Sequence, residues 1–318
     1  MRHETVRTLK CYAGGQAYCL DAGQVLAIER GARMTPNPAA GGPMGWIARR
    51  ESRIPVYGLT ERLGFGTRAD RLGTVLVINS PKPWGLAVDR VSRLQDAAAT
   101  PQPVPPSISP ARAAGFSGVV VDNGSLAVYL SPDLLHPDAP RVPPTEMEPP
   151  PQATPDPSAP ALTGPGRLLL FSPANPVPPG LLPGLRSRLL FGFSYSQVVE
   201  IVPGVEHSPV PMTPSHIIGL IAWRGRPVTV VDAGVLLGLT PVQRQATDRL
   251  LIARSPLWRT AIAIPVGGEI QSRMLPLPHR PCRLALDTGH SRGAFELTAD
   301  EFVVIPDVDG IARPQTGN

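Results

Sequence analysis

The stretch Gly219-Leu220-Ile221-Ala222-Trp223-Arg224-Gly225 and a related stretch 174 residues upstream, Gly45-Trp46-Ile47-Ala48-Arg49-Arg50, decide how this chain is organised. Each is a short apolar run that ends at an arginine, and the match continues on both sides. At the same offset Val56 matches Val230, Leu63-Gly64 matches Leu237-Gly238 and Trp84 matches Trp258; at an offset of 173, Gln24-Val25, Ile28 and Pro38 match Gln197-Val198, Ile201 and Pro211. One change of offset is what a single loop insertion produces, so the sequence predicts a duplicated module.

The composition favours short strands. Among the 318 residues are 41 prolines and 31 glycines, which interrupt long helices. Short apolar runs between such residues are typical of a β-barrel or sandwich. We expect strands at 9–12 and 17–20 around Gly14-Gly15, at 168–171 and 189–193 as their counterparts, and at 54–59, 74–78, 228–231 and 250–253. Short helices are expected near 58–63 and 233–237, and the proline cluster 101–110 indicates a surface loop.

A proline-rich linker separates the two modules. Eleven prolines fall between Pro137 and Pro165, mixed with small residues and a few acids. Such a segment buries too little apolar surface to offset the entropy of ordering it. We therefore expect module one at 1–137, a linker at 138–166 and module two at 167–313. The linker permits the modules to separate or to fold back on each other.

Charge, cysteine content and the length of apolar stretches restrict the classes of function that the chain can have. The net charge is +5, but Lys10 and Lys82 are the only lysines and no basic run appears, so no nucleic-acid partner is expected. Cys11, Cys19 and Cys282 cannot form a closed disulfide framework and are interpreted as small buried thiols. No stretch approaches the ~20 apolar residues that span a bilayer, and the charged N-terminus resembles no signal peptide. A cytoplasmic protein without membrane insertion is expected.

Catalytic motifs are not found. The six histidines are scattered without metal-ligand spacing, and the sequence has neither a Gly-rich phosphate loop nor a Gly-x-Ser-x-Gly elbow. Asp89 and Asp232 are isolated carboxylates, better explained by hydrogen bonds at turns or strand ends. We expect no enzyme activity, no catalytic residue, no cofactor and no metal.

The repeated stretches resemble CheW-like domains of bacterial chemotaxis. That family has Gly-hydrophobic-Ile-small-hydrophobic-Arg-Gly, then a strand with Pro-Val and Asp, then Leu-Gly. The resemblance is carried by Gly219 to Gly225, Val230-Val231-Asp232 and Leu237-Gly238 in module two, and by Gly45, Ile47, Arg50, Pro55-Val56, Leu63-Gly64 and Gly85-Leu86-Ala87-Val88-Asp89-Arg90-Val91 in module one. Module one departs at Arg49, Glu51 and Gly58. Module two has Thr229 for the proline and shows no counterpart of Val88-Asp89.

The resemblance implies an all-β fold in which each module is a pair of SH3-like five-stranded barrels with short helices and a hydrophobic seam. It also implies a non-catalytic adaptor whose partners are the histidine kinase CheA, the cytoplasmic tips of chemoreceptors and other CheW-like proteins. Its location would be membrane-associated receptor arrays in the cytoplasm. The alternative is a structural protein whose SH3-like modules bind another peptide or a nucleic acid.

Partner binding is expected at residues of the repeated stretches. An arginine fork binds carboxylates or carbonyls at an interface, although each arginine is equally suited to tie its own turn to backbone carbonyls. Tryptophan beside arginine is a common interface anchor. For the aliphatic members core packing is the competing interpretation. The predicted partner-binding residues are Arg50, Arg224, Trp46, Trp223, Ile47, Ile221, Val56 and Val230, and the predicted turn glycines are Gly45, Gly219, Gly225, Gly64 and Gly238. Trp84 and Trp258 are expected to pack in the core or against a loop.

Overall fold

The fold is all-β, as the sequence predicts. A computed structural model of the chain describes residues 6–38, 42–64, 73–92, 98–108, 116–122, 125–139, 166–184, 187–210, 213–242, 249–275, 280–282, 284, 286 and 288–313. The predicted linker, 138–166, lies almost entirely outside these residues.

Module one forms two sheets. Its elements are β1 (Val6–Ala13), β2 (Gln16–Asp21), β3 (Val25–Arg30), β4 (Met34–Pro36), β5 (Gly45–Arg49), β6 (Ser52–Gly58), α1 (Leu59–Arg62), β7 (Thr74–Ile78), β8 (Trp84–Val88), β9 (Arg90–Val91), β10 (Ala98–Ala99), β11 (Phe116–Asp122), β12 (Ser125–Leu130) and α2 (Pro132–Leu135). The first sheet has the strand order β10-β1-β2-β12-β11, with β9 also paired to β1, and the second has the order β3-β7-β8-β6-β5-β4.

Module two repeats this arrangement in one sheet. Its elements are β13 (Gly166–Pro173), β14 (Arg188–Ser194), β15 (Val198–Pro203), β16 (Ile217–Trp223), β17 (Arg226–Val231), α3 (Ala233–Leu236), β18 (Arg249–Ser255), β19 (Thr260–Leu275), β20 (Arg280–Pro281), β21 (Ser291–Thr298), β22 (Glu301–Pro306) and α4 (Val308–Ile311). The strand order of the sheet is β15-β18-β19-β13-β14-β22-β21-β20, with β16 paired to β17 and β17 to β19.

The sheets are not the closed five-stranded barrels that the resemblance implied. In module one, the six-stranded sheet that begins with β3 ends with β4, and these two strands are not neighbours in its order. In module two, β19 pairs with β17 and β18 in its first half and with β13 in its second half, so one strand joins the two halves into a single sheet. The same path in module one is interrupted at Asp89, between β8 and β9.

The predicted hairpins are confirmed. β1 and β2 pair antiparallel, and their turn places Gly14 and Gly15 at φ 56° and 78°, where glycine carries no Cβ penalty. Cys11 and Cys19 lie on these two strands as buried free thiols, and burial raises the pKa of the Cys11 thiol. β13 and β14 pair in the same way in module two.

The predicted match of Trp84 with Trp258 is wrong. Gly85 pairs with Val56, whereas Ala263 pairs with the matching Val230, so Trp84 corresponds to Ile262. Trp84 is buried in the core, against the rings of Tyr57 and His136. Trp258 instead lies in the turn between β18 and β19, where its indole N–H donates to the Asp309 carbonyl oxygen at 2.8 Å. The offset thus rises from 174 to 178, because the connection between β18 and β19 is three residues longer than its counterpart and the segment between Gly238 and β18 is one residue longer.

By the corrected register Val88-Asp89 corresponds to Val266-Gly267. The valine is therefore retained in module two, and the aspartate is not. Asp89 accepts a hydrogen bond from the Gly14 backbone N–H at 2.9 Å, which ties the β1–β2 turn to the break between β8 and β9. In module two a longer connection, residues 174–187, takes the place of the β1–β2 turn, and Gly267 at the position of Asp89 has no carboxylate to bond it.

The two modules lie against each other. β12 packs beside β16 and β11 beside β17. The Ser107 and Thr229 hydroxyls, both buried, are 2.7 Å apart, and the Gln102 side-chain amide donates to the Gly225 carbonyl oxygen at 2.8 Å. Ser208 donates to the Leu126 carbonyl oxygen at 3.2 Å. One cluster of buried apolar residues runs through both modules.

The expected surface loop at 101–110 is therefore not wholly exposed. Of its described residues, Ser107 and Ile108 are 3% and 1% exposed. A short 3-10 turn presents Ser107 to module two, because the buried hydroxyl of Thr229 needs a hydrogen-bonding partner there.

A buried polar cluster anchors α3 in module two. The Asp232 carboxylate, 2% exposed, accepts hydrogen bonds from the backbone N–H groups of Val235 and Val242 and from the Asn175 side chain. The predicted strand-end role of this aspartate is thus confirmed. Its own backbone N–H donates to the His216 carbonyl oxygen at 2.7 Å. Burial lowers the pKa of His216 to about 4, an effect that His290 reinforces and Asp232 opposes.

This lowered pKa predicts an acid sensitivity. The unfolded chain takes up a proton at His216 near its ordinary pKa of about 6.5, whereas the folded chain resists it down to about 4. Stability contributed by neutral His216 is therefore fully present above pH 6.5 and is lost as the pH falls towards 4, with a slope of up to roughly 1.4 kcal/mol per pH unit. Urea unfolding of His216→Gln between pH 4 and 7 should show a flatter dependence than the parent protein. Identical slopes for the two proteins would contradict the assignment.

Candidate docking surface

Each module presents one hairpin built from its repeated stretch, which we call the signature hairpin: β5–β6 in module one and β16–β17 in module two. Their registers are equivalent. Gly45 pairs with Val56 and Gly219 with Val230, and both hairpins turn in two residues. Alternating side chains point to opposite faces of a strand, so each hairpin has an inward and an outward face.

The inward face is core. The aliphatic residues predicted to bind partners are almost fully buried, in local clusters with β7 in module one and with β18 and β19 in module two. These residues are Ile47 (2% exposed), Val56 (0%), Ile221 (2%) and Val230 (1%). A side chain at this burial cannot reach a partner while the fold is intact. Their predicted partner-binding role is therefore withdrawn, and the competing interpretation, core packing, is the one that the burial supports.

The predicted turn glycines fall into two groups. Gly64, Gly225 and Gly238 have φ angles of 74°, 73° and 81°, the left-handed region that favours glycine. Gly45 and Gly219 lie within β5 and β16, so their assignment as turn residues is wrong. They are small because a Cβ would stand 2.3 Å from the Thr35 carbonyl oxygen at Gly45, and 2.5 Å from that of Ser208 at Gly219.

A methyl group at Gly45 has no room. Gly45→Ala should lower the free energy of unfolding by about 1–3 kcal/mol, because Thr35 and Met34 must move apart to admit it. Thermal and urea unfolding measure the loss. Gly267→Ala is the matched control: its nearest outside atom is 3.8 Å away, so its stability should change by less than about 1 kcal/mol. Equal effects of the two changes would contradict the steric explanation.

The signature arginines occupy the turns in a disfavoured conformation. Arg50 has φ 51° and Arg224 has φ 50°, and in the described residues Arg259 is the one other non-glycine residue with positive φ. A hairpin turn of two residues requires such angles, and asparagine or glycine usually supplies them. A long side chain kept in this conformation at both copies points to a role for the side chain itself.

The two arginines differ in their surroundings. Arg224 donates to the Glu200 carboxylate at 2.9 Å, lies 4.7 Å from the centre of the Trp223 ring, and shares Glu200 with the Trp223 indole N–H. The Arg50 side chain is exposed, and among the described residues it has no hydrogen-bond or ion-pair partner. Neither arginine bonds the carbonyl oxygens of its own turn, so the turn-tying interpretation has no support.

The two tryptophans are both half-buried and lie at different positions of the repeat. Trp46 is on the outward face of β5, and the Arg53 guanidinium lies 5.8 Å from its ring centre. Trp223 ends β16 beside the turn, at the position that Arg49 fills in module one. Arg49 reaches Glu29 of β3 at 3.4 Å, and Trp223 donates to Glu200 of β15, so in both modules this position bonds a glutamate of an edge strand.

Sequence reasoning missed the outward-facing row formed by Thr35, Trp46 and Pro55, which pair directly across β4, β5 and β6. Thr35 and Arg53 are exposed there, so this face of module one combines an aromatic ring, a cation and a hydroxyl. Among the described residues no cluster of three or more His, Cys, Asp or Glu side chains is arranged to hold a metal ion.

The comparisons with known proteins identify the family. The CheW-like domain family matches residues 7–139 and again residues 180–315. The chain therefore belongs to the CheW-like domain family and carries two such domains. A solved structure, the scaffolding protein TtCheW from Thermoanaerobacter tengcongensis, is 18% identical, with a TM-score of 0.33 over 40% of this chain and 90% of that one. No curated protein shows significant similarity to the chain.

The strained turn makes a prediction about stability. Arg50→Asn should raise the free energy of unfolding by about 0.5–1 kcal/mol, because asparagine tolerates positive φ and Arg50 loses no partner. Chemical denaturation measures the gain. Arg33→Asn, an exposed arginine outside the positive-φ set, is the control and should leave stability within about 0.5 kcal/mol. A destabilised Arg50→Asn protein would show that Arg50 supports its own fold.

Proposed function

We propose that the chain is a non-catalytic scaffold of bacterial chemosensory arrays that couples chemoreceptors to the histidine kinase CheA. Membership of both modules in the CheW-like family supports a chemotaxis scaffold role, because that family is one of non-catalytic scaffolds. The proposed partners are the kinase, the cytoplasmic tips of the receptors and other CheW-like proteins. The proposed location is the cytoplasmic side of receptor arrays.

The observation that carries this proposal is the state of Arg50. The residue sits at the tip of the signature hairpin with a strained backbone, an exposed guanidinium and no bonding partner among the described residues. A free arginine fork matches a carboxylate or a pair of carbonyl oxygens on another protein. Trp46 and Arg53, on the outward face of the same hairpin, supply the aromatic and cationic contacts that interfaces favour.

The mechanism is geometric. A scaffold that holds receptor and kinase together converts a conformational change in the receptor into a change in kinase activity, provided that its two contacts differ in strength between the receptor states. In this role the chain catalyses no chemical step: it transfers no proton and forms no covalent bond. In the described residues no helix is long and apolar enough to cross a membrane.

Module one is the proposed principal binder. Arg224 of module two is already paired with Glu200, and its hairpin lies against module one. Releasing Arg224 for a partner would first break its ion pair with Glu200, whereas Arg50 has no such pair among the described residues. The two modules therefore contribute unequally.

Binding assays with purified proteins test this asymmetry. Arg50→Ala should weaken retention of the kinase or of the receptor tip by about tenfold, the effect of losing roughly 1.4 kcal/mol at an interface. Arg224→Ala should weaken retention less. Isothermal titration or surface-immobilised binding measures both, with Arg33→Ala as an exposed-arginine control.

Two results would count against the scaffold proposal. If the folded parent chain retains neither kinase nor receptor tip, the function is wrong. If it retains them and Arg50→Ala binds as tightly as the parent chain, the hairpin assignment is wrong. Capture of an unrelated peptide or a nucleic acid in place of these partners would favour a structural module of another system.

A further inference from the structure

The second half of β19 is a sheet edge that is paired on one side only. Arg249 of β18 and Pro173 of β13 both pair with Val266, so these two strands flank β19 on opposite sides at that residue. β18 begins at Arg249, whereas β13 continues beside β19 as far as Leu275. Among the described residues, therefore, no strand lies along the β18 side of 267–275, which we call the open edge.

The open edge has none of the usual protection. An edge strand presents unpaired backbone N–H and C=O groups that can pair with another strand, and proteins commonly protect such edges with proline, with lysine or by keeping the strand short. The stretch 267–275 contains neither proline nor lysine. In module one the corresponding side of β1 is bordered by β9 and β10, which have only two residues each. The long edge of module two thus has no equivalent in the described part of module one.

One face of the open edge carries two opposite charges. Past the bend at Gly268, successive side chains alternate between the faces, so Glu269, Gln271 and Arg273 share a face. Arg273 donates to the Gln271 side-chain oxygen at 3.0 Å. Glu269 and Arg273 are exposed, and neither forms an ion pair among the described residues. Four residues of extended strand separate them by about 13 Å, too far for the two charges to pair within one chain.

The other face of the open edge exposes apolar side chains. Ile270 and Met274 are 42% and 60% exposed, with Ser272 between them. The aromatic ring of Tyr195, 58% exposed, lies 6.0 Å from the guanidinium of Arg167, which pairs with Met274. Neighbouring apolar side chains exposed on one surface mark an interaction site.

The sequence of the open edge is complementary to itself. When two copies of the edge run antiparallel about a two-fold axis at Gln271, Glu269 of each copy lies directly opposite Arg273 of the other. Ile270 then lies opposite Ser272 and one diagonal step from Met274 of the other copy, within reach of long side chains. Of the two-fold registers, only the one centred on Gln271 brings both pairs of charges together.

We infer that the open edge binds the same edge of a second copy of this chain, so that two copies form one continuous sheet. Backbone hydrogen bonds between the edges supply the affinity, and the two Glu269–Arg273 pairs set the register. Each copy contributes the same surface, so the contact closes at two copies. The contact uses neither signature hairpin, and it stands apart from the proposed coupling of receptor and kinase because it concerns the chain alone.

Sedimentation velocity of the purified full chain at low salt tests the inference. The average mass should rise to a plateau at twice that of one chain, with a midpoint at roughly 10–100 µM, a range suited to a small interface. Glu269→Arg alone and Arg273→Glu alone each place like charges opposite each other twice in the dimer, and each should raise the midpoint by at least about tenfold. The double variant Glu269→Arg/Arg273→Glu should restore the parent midpoint, which a misfolded protein cannot do. Arg254→Glu, at an exposed position of β18, is the matched control and should dimerise like the parent chain.

A cysteine cross-link tests the register. The background is Cys282→Ser, because Cys11 and Cys19 are buried. Gln271→Cys stands on the two-fold axis and should form a disulfide-linked dimer under mild oxidation, since directly opposite Cα atoms lie about 4.5–5.5 Å apart, within the range that a disulfide spans. Ser272→Cys is the control: it lies a diagonal step of about 7–8 Å from its copy, beyond that range, and should cross-link at least about fivefold more slowly.

Four outcomes would overturn the inference. The first is a monomer mass at every concentration up to about 1 mM, which would leave the open edge to an extended segment of another protein. The others are a dimer that the single charge variants leave unchanged, equal cross-linking at positions 271 and 272, and a mass that climbs past two copies without a plateau. Because these measurements contain no kinase and no receptor, their failure leaves the proposed function untouched, and a failure of partner binding leaves this result untouched.

Discussion

The placement of the two modules depends on burying two hydroxyl groups against each other, those of Ser107 and Thr229, 2.7 Å apart. A hydroxyl that loses water and gains no partner costs about 1–3 kcal/mol. Placements of the two modules that bring these hydroxyls together are therefore more stable than placements that leave either one unpaired in the apolar contact. The surrounding apolar cluster supplies attraction without direction. The hydroxyl pair supplies the direction, and every other contact between the modules follows from the register that it sets.

Local structure could be predicted well from the sequence, because it depends on patterns a few residues long. The strand 74–78 and the hairpin around Gly14-Gly15 lie where alternation and glycine indicated them. The duplication was also visible as a shared offset. The sequence did not show that Trp84 and Trp258 occupy different positions in the two modules. Their positions follow from the strand register, which is set by pairing between segments that are distant in sequence.

The candidate site was predicted only in part, for a related reason. Arg50 was identified from its motif, but its strained backbone follows from a turn of two residues that carries no glycine in module one. For Ile47 and Val56 the sequence left partner binding and core packing both open, because a motif does not tell which face of a strand is covered. Thr35 was overlooked because it lies on a separate short strand, and its place beside Trp46 appears only in the pairing of β4 with β5.

The break at Asp89 has a mechanical consequence. In module two the 16 residues of β19 run from one half of the sheet to the other as one strand, which bends at Gly268, where φ is 67° and the register with β13 shifts. In module one the same path is divided at Asp89, and the two sheets are tied there by its hydrogen bond to Gly14. The two halves of module two therefore share the backbone of one paired strand, whereas the two sheets of module one meet at a break, where a relative displacement of the sheets disturbs the few hydrogen bonds of Asp89 rather than a strand ladder.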